Sequence, residues 1–120
     1  MSFLDVYVGE ISDLSWDPTQ EQWSIGNVPH RLSPFFPSGH HAFRVLQQRV
    51  EDRTWRGQQV DWGAWTARLT GGQILAFCRE CRAADGLADM PHVRVQWEDL
   101  ERFLATLTPD AEYALVASEL

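Results

Sequence analysis

Cys78 and Cys81 stand three positions apart, a spacing at which two thiolates can chelate one metal ion or work as a reactive dithiol. Each chemistry makes a further demand. A redox pair wants its first cysteine at a helix start, where the dipole lowers the thiol pKa, whereas these two lie well inside a helical pattern with Ile74 and Phe77. A structural zinc site wants two more ligands. The chain has no second pair of this spacing, and His30, His40, His41 and His92 could complete a set only through the fold. Buried free thiols are therefore the expectation, and no cofactor is expected. A small metal- or redox-active protein using Cys78, Cys81 and histidines is the alternative.

Pro37-Ser38-Gly39-His40 resembles the Pro-Ser-Gly-His motif of the type 2 phosphatidic acid phosphatases. In that family the histidine protonates the leaving group, and flanking motifs supply a lysine, arginines and a nucleophilic histidine backed by an aspartate. The likeness implies such a role for His40 and ends after those residues. The chain has no lysine and no upstream Arg-Pro, and His92 lacks both the preceding serine-arginine and the following aspartate. The segment then reads as the entry to a helix capped by Ser38. Asp61 beside Trp62, and the series Asp13, Asp17 and Glu21, could pair carboxylates for acid–base chemistry, but a solvated acidic face has the same pattern. No nucleophile elbow, P-loop, dinucleotide fingerprint or kinase-like set is present, and enzymatic activity is not expected.

The formal net charge is −7, unevenly spread. Residues 1–30 hold five acids and no Lys or Arg, residues 31–84 eight arginines against four acids, and residues 85–120 eight acids against two arginines. An acidic chain without a sustained basic stripe argues against nucleic acid and anionic membrane as partners and leaves a basic protein surface as a fitting one. All ten basic residues are arginine, a bias expected of a GC-rich bacterial genome. The first residues include Asp5 and Glu10 and lack both a basic region and a long apolar run, so a soluble, cytoplasmic protein is expected.

The elements that position these residues follow from periodicity. Phe3 to Val8 reads as a strand covered on both faces, with Leu4, Val6 and Val8 on one side. Glu10 to Gln22 reads as a solvated loop or short helical turn, and Trp23 to Val28 as an edge hairpin turning at Gly26-Asn27. Arg31 to Gly39 is irregular, with Phe35 and Phe36 plugging the core. A helix covers roughly His40 to Arg53, with Phe43, Leu46 and Val50 inward and Gly57 closing it. Val60 to Leu69 reads as one strand bulged at Gly63, which sets Val60, Trp62, Trp65, Ala67 and Leu69 inward and Asp61, Thr66 and Arg68 outward. Thr70 and Gln73 fit a capping box opening a helix that runs to about Gly86. Asp85 to Pro91 is a loop and His92 to Gln96 a short strand. Glu98, Asp99 and Glu101 then open a last helix with Trp97, Leu100, Phe103, Leu104 and Leu107 inward, stopped by Pro109. Glu112 to Leu120 reads as a buried strand.

The expectation is one α+β domain over residues 1–120, with a mixed or antiparallel sheet of about four to six strands and about three helices packed mainly on one face. Its size, acidity and aromatic residues set among carboxylates suggest a protein-binding module that masks a partner, most concretely a bacterial antitoxin or toxin-immunity protein. Asp13, Trp16, Asp17, Glu21 and Trp23 are the candidate contact residues for a protein partner such as a basic toxin or enzyme. Trp62, Trp65 and Trp97 fit the core, while Trp16, Trp23 and Trp55 lie in weaker patterns suited to binding anchors. A domain binding small ligands in a tryptophan-lined pocket is a further alternative.

Overall fold

The computed structural model describes residues 4–11, 15–17, 19, 22–24, 29–37, 39–60 and 64–119. In chain order these form β1 (Leu4–Gly9), β2 (Ser15–Asp17), β3 (Gln22–Ser24), α1 (Gly39–Glu51), β4 (Gly57–Val60), β5 (Ala64–Thr70), α2 (Gly71–Ala84), α3 (Pro91–Leu104) and β6 (Glu112–Glu119). Four strands make an antiparallel sheet in the order β1-β6-β5-β4, and β2 and β3 make a separate two-stranded ribbon. The fold is α+β, as the alternation of apolar patterns implies.

The last strand in sequence is central in space. β6 pairs with β1 on one side and β5 on the other, and Ala114 to Ala117 are buried on both of its faces. Leu115 and Ala117 face the helices together with Val6 and Val8 of β1 and Trp65, Ala67 and Leu69 of β5. Ala114 and Val116 face the opposite way, beside Tyr7. All three helices contribute to the first cluster: Phe43, Leu46 and Val50 from α1, Ile74, Phe77, Cys78 and Cys81 from α2, and Trp97, Leu100 and Leu104 from α3. The side chains of Trp97, Phe77, Leu46 and Ile74 are essentially fully buried, each contributing about 1.5–3 kcal/mol of transfer free energy.

The outer edge of β1 is covered by the irregular segment that follows the ribbon. Leu32 N donates to Val8 O at 2.8 Å, Phe36 N to Val6 O at 2.9 Å, and Val8 N to the Ser33 hydroxyl at 2.8 Å. This segment sends Phe36 into the core, 5.8 Å from Phe77 and edge-on to Trp97 at 6.4 Å. Phe35, expected beside it in the core, is instead 45% exposed, with the Arg31 guanidinium 4.6 Å from its ring centroid. In an extended segment neighbouring residues face opposite ways, so only one of the two can plug the core. Gly39 opens α1 against β1; a Cβ there would lie 2.0 Å from Leu4 O, so the helix start can approach the strand only with glycine.

Further expectations need correction. Val60 pairs antiparallel with Ala64, so residues 57–70 are two strands rather than one bulged strand; Asp61, Trp62 and Gly63 lie outside the described residues. Trp65, Ala67 and Leu69 do line the helix side and Thr66 faces the other way, where it is fully buried. Gly57 does not close α1. The helix ends at Glu51, Arg53 takes a positive φ of 64° to reverse the chain, and Gly57 begins β4. His92 to Gln96 is not a strand but the first turns of α3, where Pro91 occupies a position that has no helical acceptor to lose. Glu98, Asp99 and Glu101 accordingly sit in its interior, Val95 is 51% exposed, and the helix ends at Leu104, ahead of Pro109.

The remaining correction concerns the ribbon. Residues 15–17, expected as loop or helical turn, form a strand, and Trp23 pairs with this upstream segment. Ser38, Gly26 and Asn27 lie outside the described residues, and with them the expected cap and turn.

Candidate functional site

Of the expected contact residues, Trp16 and Asp17 stand on β2 and Trp23 on β3, while Asp13 and Glu21 lie outside the described residues. The ribbon register sets Trp16 directly opposite Trp23 and Asp17 opposite Gln22. Opposed positions in an antiparallel pair share one face, so residues 16 and 23 are cross-strand neighbours in the backbone register. Reading Trp23 with a downstream partner concealed this. The signal available in the sequence was the symmetry of the two segments, Ser15-Trp16-Asp17 and Gln22-Trp23-Ser24, about the Thr19-Gln20 midpoint.

The cysteines are placed as the helical pattern implies. Both are free and fully buried on α2. Desolvation pushes each thiol from an ordinary 9.0 up to about 12, and for Cys78 the Glu101 carboxylate adds to the rise, for Cys81 the neighbouring Cys78. At neutral pH they are protonated, apolar and without the nucleophilic form that metal binding and disulfide exchange require. Among the described residues no three His, Cys, Asp or Glu groups come together to hold a metal ion. His30, His40 and His92 are exposed and His41 half-buried; His30 lies on β1's flank, His40 and His41 on α1, and His92 on α3.

Trp55, the third tryptophan in a weak pattern, is half-buried. Its ring meets Phe77 edge-to-face at 5.1 Å and lies under the Arg49 guanidinium at 4.9 Å. It also lines a cleft with Arg56, Arg68, Thr70, Gln73 and Glu112, in which Arg68 pairs with Glu112. Nothing in the sequence spacing joins these residues, because they come from four separate elements and connections. Trp65 and Trp97 belong to the core, and the Trp97 indole N–H donates to Asp85 Oδ2 at 2.9 Å, tying α3 to the end of α2. Among the described residues no helix is long and apolar enough to cross a membrane.

Comparison with known proteins finds no matching family model, no matching curated protein and no matching solved structure.

Proposed function

We propose that this chain is a protein-binding module that masks a partner, in its most concrete form a bacterial, cytoplasmic antitoxin or toxin-immunity protein acting through Asp13, Trp16, Asp17, Glu21 and Trp23. The observation that supports this reading is the opposition of Trp16 and Trp23 in a ribbon whose strands pair with each other and not with the four-stranded sheet. A ribbon of three residue pairs is too short to be stable alone. Tryptophan is the residue most enriched at interface hot spots, and a cross-strand pair presents two at one place. The first thirty residues carry acids and no Lys or Arg, so approach to a basic partner is accelerated by charge while release is slowed by aromatic burial.

The thiol chemistry that would compete with this reading lacks a thiolate, since both sulfurs are buried with pKa values near 12. The test is capture of a partner on the immobilised chain at low and high salt, repeated with Trp16→Ala/Trp23→Ala and with arginine at 13, 17 and 21. The expected outcome is one stoichiometric basic protein whose retention weakens with salt and falls at least tenfold in either variant, while circular dichroism keeps the parent spectrum. Equal retention by both folded variants would remove the site, and an absence of any stoichiometric protein would remove the role.

A further inference from the structure

The connection after α1, the end of β5, the first turn of α2 and the start of β6 surround a cleft of about 290 Å³. That volume is near the lower limit of small-ligand sites. Its polar groups divide unequally between committed and free. Gln73 Oε1 accepts from Thr70 N at 2.9 Å, and Gln73 N donates to Thr70 Oγ1 at 3.2 Å. The amides of Gly71 and Gly72 are taken by Ala111 O and Pro109 O at 2.9 and 3.1 Å, so the start of α2 offers no free N–H there. Arg68 Nε is taken by Glu112 Oε2. What is left is mainly donor capacity: the Gln73 amide NH₂, the Thr70 hydroxyl proton and the exposed Arg56 guanidinium, which has no ion pair among the described residues. The second oxygen of Glu112 is the one ionised acceptor with capacity to spare. Among the described residues, two guanidinium groups against one carboxylate leave the lining one positive charge in excess.

The apolar part of the wall is the half-buried Trp55 together with the buried Leu69. Phe77 and Arg49 hold the Trp55 ring from two directions, so its flat surface is fixed before any ligand arrives. From the donor excess, the single net charge and this ring, we infer that the cleft binds a small monocarboxylate carrying a planar apolar group, its carboxylate on Arg56 and Gln73 and its ring against Trp55. A guanidinium fork matches a carboxylate in shape and charge. A phosphate monoester fits less well, because its charge of about −1.5 to −2 exceeds the lining's surplus and meets Glu112. The inference does not rest on the protein-binding role.

The test uses the full chain, labelled with nitrogen-15, titrated separately with benzoate, phenyl phosphate and benzyl alcohol. Benzoate is expected to move the Trp55 indole, Gln73 amide and Arg56 Nε resonances saturably, with phenyl phosphate weaker and benzyl alcohol weakest. Arg56→Gln alters an exposed side chain without threatening the fold and is expected to weaken benzoate about tenfold, the effect of losing one charge-assisted contact. No saturable shift at these resonances, unchanged benzoate affinity in Arg56→Gln, or equal response to benzyl alcohol would each overturn the assignment. Tighter binding of phenyl phosphate would overturn the choice of carboxylate.

Discussion

At the scale of single residues, burial decides what the reactive side chains can do. Cys78 and Cys81 are sealed with Ile74, Phe77, Trp97 and Leu100 in one cluster, and the desolvation of the thiolate form outweighs the opposing attraction of Arg82 and Arg79 for Cys78 and of Arg49 for Cys81. The folded chain holds those protons up to about pH 12, whereas the unfolded chain releases them from about pH 9. The stabilisation is therefore complete below about pH 9 and lost as pH rises toward 12. Urea midpoints measured from pH 8 to 11 are expected to fall more steeply for the parent than for Cys78→Ala/Cys81→Ala, whatever the difference in level at pH 8; parallel slopes would refute the assignment. A disulfide-exchange reagent at pH 8 should likewise find no reactive thiol until the chain unfolds. Thr66 presents the opposite case. Its hydroxyl is fully buried on the sheet's second face with no hydrogen-bond partner among the described residues, in a row running Tyr7, Val116, Thr66, Gln58 across the strands. Thr66→Val keeps the shape and removes the stranded hydroxyl, and it is expected to stabilise the fold by about 1 kcal/mol in chemical denaturation. A loss of stability would mean that the hydroxyl has a partner.

At the scale of elements, the best-determined junction is the one between β5 and α2. Thr70 is the last residue of the strand and the N-cap of the helix, with both bonds of the capping box in place. Thr70→Ala is expected to lose about 1 kcal/mol and to speed exchange of the Gln73 amide, measured by denaturation and hydrogen exchange; an unaltered Gln73 amide would show that the cap is not what holds that turn. This junction was legible in the sequence because every signal in it is local: a threonine and a glutamine three apart, then Ile74, Phe77, Cys78 and Cys81 at helical spacing. The same holds for β1 and β6, whose doubly apolar patterns announce strands covered on both sides. Legibility fails where a local pattern competes with a longer one. Val93 and Val95 alternate like a strand over five residues, but Val93, Trp97, Leu100 and Leu104 repeat like a helix over twelve, and Pro91 starts it; the longer period buries more surface and wins. Val60 to Leu69 fails for a related reason, since one strand with a bulge and two strands joined through Gly63 give the same inward residues at 65, 67 and 69. The ribbon site was half legible. Its residue types stood out, whereas the four residues between the two strands hold no glycine to announce the antiparallel pairing of Trp16 with Trp23. The cleft at Trp55 and Arg56 was not legible, because only the tertiary fold brings its walls together.

At the scale of the whole molecule, the architecture is asymmetric in a way that fixes its order of opening. β6 has a partner on both sides and buried residues on both faces, from Ala114 to Ala117. β1 has β6 on one side and the segment from His30 to Phe36 on the other, so its backbone is also engaged along both edges. β4 is an edge strand of four residues. Among the described residues β2 and β3 share three residue pairs and no ladder with the main sheet. Amide exchange follows the opening of such units, with the slowest amides released only by global unfolding. The expected hierarchy places residues 114–117 slowest, the outer amides of β4 faster, and β2 and β3 fastest, with exchange of the ribbon insensitive to mutations such as Thr70→Ala that lower global stability. A ribbon built to meet a partner can open without unfolding the sheet that carries it, and a partner that closes over Trp16 and Trp23 should then slow these amides far more than those of β6. If the ribbon amides already exchange at the rate of β6 in the isolated chain, the ribbon is part of the global folding unit, and the tryptophan pair is better explained as packing within this molecule than as a contact reserved for another.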